Sequence, residues 1–389
     1  MSGIKKVCFV GAGSMGCFNS LLAAMAGYEA VLYDIASETL EKVPEQHQQM
    51  ATMMMAHGQC TPELFDDAKT RISVCNDLEL IAADVDLVSE SIAESLEAKR
   101  ALHAMLETIF PTTTIITTNT SALLVSDIES ALTSGAQFAA LHSHLGSPLI
   151  DIVAGPRTAP EVAKRLEQYV ISLQCVPLVL KKEHPGYVLN AMLGSVLATS
   201  MALVIYQLSS VHAVDQAWMA SRHSATGPFG MMDFFGLNVI HDSWRYKVAT
   251  PETQTLKDSV VSFLQPYIDG NKLGVKTGQG FYNYPEPAFQ QKDFDVDSDE
   301  SQRAQDSLTC ILLVNALAIV DKGVVSCEDL DRAWKVGMQL PDGPFDVLNA
   351  LGATAFLSLL EQQQAMGFCV SGDAERAKAF IARGRLAHV

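Results

Sequence analysis

The sequence predicts an α/β domain with a doubly wound sheet, followed by a duplicated all-α region. Up to residue 184, short apolar runs alternate with stretches of helical length. After His184-Pro185-Gly186 the pattern changes to long apolar stretches, beginning with Tyr187 to Leu208, whose length suits helices. One segment of this helical region then occurs twice, at an offset of 116 residues.

Seven short runs in the first 184 residues have the length and composition of buried strands. Stretches of helical length separate them, and this alternation is typical of a sheet with helices on both faces. The runs are VCFVG, EAVLYD, RISVC, DVDLVSES, TIITTN, QFAALH and CVPLVL.

The first run leads into a glycine-rich turn. Gly11, Gly13 and Gly16 have the spacing GxGxxG, between the strand Val7 to Val10 and an apolar helix that contains Leu21 to Ala26. Gly11 permits the tight turn, Gly13 lets a pyrophosphate approach the backbone, and Gly16 allows close packing of the helix, whose N-terminus attracts phosphate. The sequence therefore predicts a Rossmann-type dinucleotide-binding domain.

Asp34 ends the second run, eighteen residues after Gly16. A carboxylate at this point accepts hydrogen bonds from the ribose hydroxyls and repels a 2′-phosphate, so we expect NAD rather than NADP. A glycine-rich turn in another kind of α/β domain is the alternative, but strand, spacing and acid agree. The predicted cofactor contacts in this region are Gly11, Ala12, Gly13, Ser14, Met15, Gly16 and Asp34.

The domain boundaries follow from the changes in composition. We predict the NAD-binding domain over residues 1–184 and a helical domain over 185–288. An acidic linker over 289–302 then leads to a second, degenerate copy of the helical domain over 303–389. The linker is predicted from Pro285 to Ser301, which contains two prolines and several acids.

The two helical copies align without gaps. Val211 to Gly236 aligns with Cys327 to Gly352, and three matched features make chance similarity improbable, so we interpret the pair as an internal duplication. We expect the Trp and Phe residues among them to pack in the core at helix junctions. The matched features are Asp215 with Asp331, Trp218 with Trp334, and the two GPF triplets.

Composition excludes several classes of partner and compartment. The formal net charge of −17 over 389 residues argues against nucleic acid and against anionic membrane surfaces. No stretch is expected to be long and apolar enough to span a membrane, and the glycine turn interrupts the apolar run after Lys5 and Lys6 that could imitate a signal peptide. The eight cysteines are scattered without a CxxC pair, which favours a reduced, cytoplasmic location.

Further motifs, taken in order, resemble the 3-hydroxyacyl-CoA dehydrogenase family. The resemblance covers nearly the whole chain, and the extra helical copy is similar to the form of the family with a duplicated C-terminal domain. The motifs are SESIAESLEAK, TTNTSALLVSDI, ALHSHLGSPLIDIVAG, EHPGYVLNAML, GPFGMMDFFG and GVKTGQGFY.

This resemblance implies hydride transfer from a secondary alcohol, which requires a base because an alcohol is a very weak acid; histidine suits that task near neutral pH. His142 matches the family's catalytic His, 21 residues after Ser121. Asp151 falls where the family has a Glu that orients this His, Ser121 is expected to donate to the substrate oxygen, and Asn190 to position the substrate carbonyl. The resemblance also implies cofactor contacts for Glu94, Lys99 and Lys276.

Each of these assignments has an alternative. Ser121 could cap a helix that begins near Leu123, Asn190 could be a buried amide on a helix face, and Asp151 could be an exposed acid at a strand end. His142 and His144 would point to one face of a strand, but zinc needs further ligands and the sequence offers no convincing third, so we predict no metal. His144 is then a substrate-pocket or packing residue.

The sequence departs from the family where the substrate would bind. The family's usual HFFNP is here HSHLGSP, so Leu145 replaces an Asn and Gly146 replaces the proline, and the loop before Asp151 is shorter. A shorter loop could compensate for the shorter Asp side chain by moving its strand closer.

A second departure concerns coenzyme A. The family commonly has basic side chains on the helical hairpin after the second strand, whereas Val43 to Ala68 contains no Lys or Arg. Its methionines, Met50, Met53, Met54 and Met55, form either a core stripe or an adaptable apolar lip for an acyl chain.

The leading hypothesis is an NAD-dependent enzyme that interconverts an L-3-hydroxyacyl thioester and its 3-oxo form. The alternatives are a dehydrogenase of a free β-hydroxy acid, as in the gulonate and carnitine dehydrogenase relatives, an enzyme acting on an acyl-carrier-protein thioester, or a catalytically silent NAD-binding protein. Only the first helical copy carries PGYVLN, so one active site per chain is predicted. Doubling of the helical domain predicts a pseudo-dimeric monomer or a homodimer that uses another surface.

Overall fold

The computed structural model describes residues 2–291, 294, 298–369 and 371–383. The chain divides into two compact units. The first comprises Met1–Val188 and Gly323–Asp329, and the second comprises Leu189–Lys322 and Leu330–Val389. The predicted linker lies partly outside the described residues, and the predicted domain boundaries remain predictions.

The first unit contains an eight-stranded sheet with the order β3-β2-β1-β4-β5-β6-β7-β8. All neighbouring strands are parallel except β6 and β7, which are antiparallel. The predicted α/β class with a Rossmann-type sheet is therefore confirmed. The strands are β1 Lys6–Val10, β2 Glu29–Tyr33, β3 Ile72–Cys75, β4 Leu87–Glu90, β5 Ile115–Thr118, β6 Phe138–Ser143, β7 Leu149–Ala154 and β8 Val176–Leu180.

Helices cover the sheet, and this explains why most strand residues are apolar on both faces. Phe9 on β1 and Leu32 on β2 are fully buried in one apolar cluster with Leu21 of the first helix. The helices of this unit are α1 Ser14–Met25, α2 Ser37–Glu41, α3 Val43–Ala56, α4 Pro62–Lys69, α5 Leu96–Ile109, α6 Val125–Glu129 and α7 Pro160–Ser172, with short 3-10 turns at Leu78–Leu80 and Ala82–Asp84.

Strand β7 is absent from the seven runs predicted as strands, which correspond to the other seven strands of the sheet. It follows β6 after a turn of five residues and pairs with it in antiparallel register, which places His142 directly opposite Asp151. An acid in the middle of a six-residue run, so soon after another strand, masks the apolar signal of β7. The strand is nevertheless buried except for its last residue.

The second unit is helical, as predicted. Its long, apolar α8 carries no polar stripe because it is packed on most sides, with Met192, Val196 and Met201 all buried. The helices are α8 Leu189–Ile205, α9 Val211–Arg222, α10 Pro228–Phe235, α11 Leu237–Arg245, α12 Pro251–Asp269, α13 Ser298–Asp321, α14 Cys327–Met338, α15 Pro344–Leu351, α16 Ala353–Ala365 and α17 Ser371–Ala382, with 3-10 turns at Val275–Thr277 and Ala288–Gln290.

The repeated segment forms the same local structure twice. Asp215 on α9 accepts a hydrogen bond from the amide of Phe229 at 2.8 Å, and Asp331 on α14 accepts one from the amide of Phe345 at the same distance. A side chain at the glycine before each proline would collide with the corresponding aspartate. Trp218 and Trp334 meet edge to face with ring centroids 6.5 Å apart, and both are buried. Both tryptophans therefore lie in the core, where the sequence placed them.

One expectation about membranes needs correction. The stretch Asp299–Asp321 within α13 is long and apolar enough to cross a membrane by length and composition. Most of it is buried, and α13 packs against α8 and α9. A core helix of a folded domain satisfies the same criteria, because burial inside protein and burial in lipid select similar side chains.

Candidate functional site

The glycine-rich turn between β1 and α1 accepts only glycine at two of its three positions. Gly11 has φ +99°, and a Cβ atom there would lie 2.7 Å from the carbonyl oxygen of Ser91, which directly follows β4. A Cβ on Gly16 would lie 1.8 Å from the carbonyl oxygen of Gly11. These contacts confirm the roles of the glycines in the turn and in helix packing.

The space over Gly13 is open, with no atom within 4 Å of the position of a Cβ. Gly13 is the residue before α1, and no side chain caps this helix end. The first N–H groups of α1, from Ser14 and Met15 onward, therefore face the opening without a partner from the helix itself. An exposed, uncapped helix N-terminus beside open glycine backbone fits the pyrophosphate of a dinucleotide.

Asp34 follows β2 and borders this turn. One of its carboxylate oxygens accepts a hydrogen bond from the amide of Ala12 at 3.0 Å, and the other accepts one from the amide of Ala36 at 2.9 Å. These bonds fix the half-buried carboxylate at the edge of the turn, and each oxygen keeps a further lone pair. The site thus has the acceptor that adenosine ribose hydroxyls require.

Glu94 lies in the loop before α5 and organises the loop that carries Ser121. One carboxylate oxygen accepts hydrogen bonds from the amides of Ser121 at 2.9 Å and Ala122 at 3.1 Å, and also from the hydroxyl of Thr120. Its other oxygen lies 3.6 Å from Nζ of Lys99. The predicted contact of Glu94 with the cofactor stays a prediction, and the structure adds this role in holding the Ser121 loop.

Lys99, the other predicted cofactor contact from this region, is fully buried. Its Nζ donates to Oε1 of Glu90 at 2.6 Å, while Oε2 of Glu90 lies 2.9 Å from Nε2 of His103. Burial alone would raise the pKa of Glu90, but His103 and Lys99 outweigh it and hold that pKa at about 2. Glu90 is absent from the predicted site. The sequence feature that could have pointed to Glu90 is its position at the end of β4, where an isolated acid in a buried strand requires a partner.

Ser121, His142 and Asp151 form a hydrogen-bonded chain. Nε2 of His142 lies 3.0 Å from Oγ of Ser121, and Nδ1 of His142 lies 2.9 Å from Oδ2 of Asp151. Because an ionised carboxylate can only accept, Nδ1 carries the hydrogen and the Nε2 lone pair faces Ser121. This is the tautomer that a general base needs.

Burial governs the charge of this chain. His142 is almost wholly buried, which lowers its pKa from the usual 6.5 even though Asp151 acts in the opposite direction. Burial alone would raise the pKa of Asp151, but hydrogen bonds from His142 and His144 reverse the effect and lower it. At neutral pH the pair is therefore a neutral imidazole beside a carboxylate.

Two of the alternatives proposed for these residues do not apply. Helix α6 begins at Val125 without a side-chain cap, and the hydroxyl of Ser121 is directed to His142 instead. Asp151 is the third residue of β7 and has no exposed surface, so it is not an acid at a strand end. The structure thus brings Ser121, His142 and Asp151 together as the sequence predicted.

His144 shares the carboxylate oxygen that holds His142. Its Nε2 lies 2.9 Å from Oδ2 of Asp151, and the two imidazole rings meet edge to face at 4.4 Å between centroids. Oδ1 of Asp151 is buried and has no hydrogen-bond partner among the described residues. The HxH spacing correctly indicated a common face for the two rings, but the sequence does not reveal their common partner.

Tyr187, which sequence reasoning missed, packs against the base with ring centroids 5.3 Å apart. Its hydroxyl is buried without a partner among the described residues, and burial raises the pKa of this phenol above its usual value. Tyr187 has φ +50°, a conformation that is uncommon outside glycine. The resemblance around PGYVLN was the one signal that pointed to this segment.

The cluster of His142, His144 and Asp151 has the residue types of a metal site. One ligand atom from each residue lies within 4.8 Å of the others, so Asp151 is a third candidate ligand that the sequence did not reveal. Both imidazole nitrogens, however, face the same carboxylate oxygen at hydrogen-bonding distance. Nitrogens that donate hydrogen to a carboxylate have no lone pair for a metal. The absence of a metal stays a prediction.

Asn190 and Lys276 lie in the second unit. Asn190 is the second residue of α8 and is half-buried, and the exposed Lys276 donates a hydrogen bond to Oδ1 of Asn238. The roles inferred for them, positioning of the substrate carbonyl and contact with the cofactor, remain predictions.

The loop after the base is a short, exposed turn. Gly146 has φ +77°, which favours glycine over the family's proline, and Leu145 is 61% exposed. On α3, Met50, Met54 and Met55 pack partly against the core, whereas Met53 is 59% exposed. Three methionines thus form the core stripe, and Met53 alone is free to serve as an apolar lip.

Comparison with known families identifies both parts of the chain. The model of the 3-hydroxyacyl-CoA dehydrogenase NAD binding domain matches residues 6–184, and that of the 3-hydroxyacyl-CoA dehydrogenase C-terminal domain matches residues 186–284 and 306–386. The second match covers both helical copies, which is compatible with a duplication.

Individual relatives point the same way. The chain is 29% identical over 292 residues to the mitochondrial hydroxyacyl-coenzyme A dehydrogenase of Rattus norvegicus, covering 72% of this chain and 91% of the relative. It is 27% identical to the 3-hydroxyadipyl-CoA dehydrogenase of Escherichia coli, covering 73% of this chain and 60% of the relative.

Two solved structures are also similar. A diketoreductase has a TM-score of 0.68 and 30% identity, over 73% of this chain and all of that chain. The 3-hydroxybutyryl-CoA dehydrogenase of Escherichia coli has a TM-score of 0.79 over 97% of this chain and 99% of that one, and at 22% identity it supports the fold alone. With both family domains matched over most of its length, the chain belongs to the 3-hydroxyacyl-CoA dehydrogenase family and is an NAD-dependent oxidoreductase.

Proposed function

We propose that the protein interconverts an L-3-hydroxyacyl-CoA thioester and the 3-oxoacyl-CoA thioester, with His142 as the general base. The observation that carries this proposal is the chain from Ser121 through His142 to Asp151, with bonds of 3.0 and 2.9 Å. A protein that only bound NAD would need none of these three residues. The silent binding protein is therefore the weaker alternative.

Each residue of the site has a separate proposed role. The glycine turn and Asp34 would hold NAD, which would supply the hydride acceptor. Nε2 of His142 takes the proton of the substrate hydroxyl, and the adjacent carboxylate of Asp151 stabilises the imidazolium that results. The hydroxyl of Ser121 donates to the substrate oxygen as its bond to carbon gains double-bond character. In the reverse direction His142 returns the proton.

Burial contributes to both steps. Because Asp151 is fully buried and His142 nearly so, their interaction is screened little by water. The backbone amides of Ser121 and Ala122 donate to Glu94, so the loop that carries Ser121 is fixed beside His142 before the substrate arrives. Such preorganisation lowers the cost of reaching the transition state.

A dehydrogenase of a substrate without CoA is the second candidate. Helix α3 and the segment to Ala68 contain no Lys or Arg that could meet CoA phosphates. The diketoreductase structure, described as acting on dicarbonyl compounds, is the relative at 30% identity. A carrier-protein thioester suits the site less well, because carrier proteins are acidic and this chain carries a net charge of −17.

The test measures NADH oxidation with acetoacetyl-CoA, with acetoacetate and other free 3-oxo acids, with a diketone, and with an acetoacetyl carrier protein. We expect the kcat/KM for acetoacetyl-CoA to exceed that of the free acids by about 100-fold, since remote binding energy is used in the transition state. A preference for the free acids, the diketone or the carrier-protein thioester would favour that substrate instead. Tight NADH binding without turnover of any of them would favour the silent binder.

His142→Gln tests the base in the same assay, with His57→Gln as the matched control at an exposed histidine after α3. We expect the first variant to lose about 10²- to 10⁴-fold in kcat while keeping its affinity for NADH. Turnover of His142→Gln equal to that of the control would remove His142 as the base.

A further inference from the structure

A second histidine, His144, lies in the turn directly after the strand that carries His142, and the proposed reaction does not use it. Nε2 of His144 and Nδ1 of His142 each lie 2.9 Å from the same oxygen of Asp151. We propose that His144 is a positioning residue that competes with His142 for this carboxylate and so extends the working range of the base toward lower pH. The inference rests on the proposed role of His142.

The geometry makes the competition direct. His142 and Asp151 are opposite each other in the β6–β7 pair, and His144 follows two residues later, in the turn that closes the pair. The Oδ1 atom of Asp151 has no hydrogen-bond partner among the described residues. Within the described part of the chain, both donors therefore converge on Oδ2 instead of using one oxygen each.

Sharing one acceptor weakens each bond. An oxygen that accepts a second N–H donor has its negative charge partly neutralised, so it stabilises a neighbouring imidazolium less. His144 lies in a half-buried position beside the fully buried Asp151, so water compensates little for this effect. His142 is consequently held in the correct tautomer without being bound too strongly as a cation.

Charge on His144 acts in the same direction. With ring centroids 4.4 Å apart, a protonated His144 would oppose protonation of His142. Among the described residues, the other ionisable groups that act on His142 are Asp151 on β7 and Glu94 in the loop before α5, and Tyr187 after β8 packs against its ring. Lys99 in turn lies 3.6 Å from Glu94, and Glu183 acts on Tyr187.

Two substitutions separate the two effects. His144→Phe installs an apolar ring, the residue type of the family's HFFNP pattern at this place, and removes both the N–H donor and the group that can be protonated. His144→Gln retains a neutral N–H donor and removes only the group that can be protonated. The readout is the pH profile of kcat/KM for oxidation of 3-hydroxybutyryl-CoA with NAD, or of the best substrate found in the panel above.

We expect the acid limb of the profile to move to higher pH in both variants. The shift should be about one pH unit for His144→Phe and about half of that for His144→Gln, because the amide still competes for Asp151. At low pH His144→Phe should therefore lose about tenfold in rate, while its rate at high pH and its KM for NAD stay close to those of the wild type.

A limb that stays in place in His144→Phe, or a uniform loss at every pH, would overturn the inference, because a packing or substrate-contact residue would produce either result. If His144→Phe does not fold, as judged by its circular dichroism and NADH binding, His144→Gln carries the test, and an unchanged limb in that variant overturns the inference equally. Failure of the proposed role of His142 is distinguishable, since it would appear as retained activity in His142→Gln.

Discussion

At the scale of single residues, the burial of His142 fixes the pH at which the enzyme can work in each direction. Burial lowers the pKa of this imidazole below its usual 6.5. Oxidation of the hydroxyl requires the neutral ring, so we expect its kcat/KM to be constant above the pKa of this ring and to fall as the pH drops through that pKa. Reduction requires the imidazolium, so its rate should rise as the pH falls and level off below the same pKa.

Profiles of kcat/KM against pH in the two directions check this prediction. Because the two limbs report one group in the free enzyme, they should mirror each other, with a common midpoint below pH 6.5. An oxidation limb centred well above this value would mean that Asp151 dominates over burial.

Asp151 sets the tautomer of the base, and an Asn in its place should not set the same tautomer. We expect Asp151→Asn to lower kcat by about 100-fold or more, because an Asn that donates its N–H₂ to Nδ1 would place the imidazole hydrogen on Nε2, where the base must accept. Affinity for NADH should persist. Turnover equal to that of the wild type would show that His142 does not depend on this carboxylate.

The sequence identified those site residues whose chemical role is associated with a family motif. Ser121, His142 and Asp151 meet as the family resemblance implied. Glu90 and Tyr187 were missed because their contacts form only in the folded chain: Glu90 bonds with Lys99 and His103 of α5, and Tyr187 packs against His142. The common partner of His142 and His144 depends on the register of β6 with β7, and β7 was not recognised as a strand from the sequence.

At the scale of elements, substitutions in the turn between β1 and α1 should separate effects on cofactor binding from effects on folding. Gly13 has an ordinary backbone conformation and open space, so Gly13→Ala should fold normally while its methyl group blocks the approach of the pyrophosphate. We expect its Kd for NADH to rise by about tenfold or more with an unchanged Tm. Fluorescence titration and thermal unfolding measure the two quantities.

The matched control is Gly194→Ala on α8, where a Cβ also meets nothing within 4 Å. By contrast, Gly16→Ala places its Cβ 1.8 Å from a backbone oxygen, and it should lower the free energy of unfolding by more than about 2 kcal/mol. Gly13→Ala with normal affinity would mean that the phosphates do not approach this residue.

Sequence patterns identified the elements unevenly. Alternation of runs predicted the seven other strands, because each is separated from the next by a helix or a long loop. It missed β7, which follows β6 after five residues and carries a buried acid at its centre. That strand completes the site, since its register places Asp151 opposite His142. Asp151 thus interrupts the apolar pattern from which β7 would have been predicted as a strand.

At the scale of the whole molecule, the duplication has a structural consequence within one chain. Helix α13 leads into the second copy and packs against α8 and α9 of the first, and Trp218 and Trp334 meet in the core between equivalent helices. The family resemblance assigns the dimer contact to the helical domain. We predict that in this chain an internal contact takes the place of the contact with a second subunit.

We therefore expect a monomer of 42.0 kDa that binds one NADH. Only one glycine turn followed by an acid occurs in the sequence, and the second helical copy lacks the PGYVLN motif. Size-exclusion chromatography with light scattering measures the mass, and calorimetric titration measures the stoichiometry. Twice this mass would mean that the chain dimerises through a surface other than the one covered by α13. Two equivalents of NADH per chain would contradict the single site, whatever the mass.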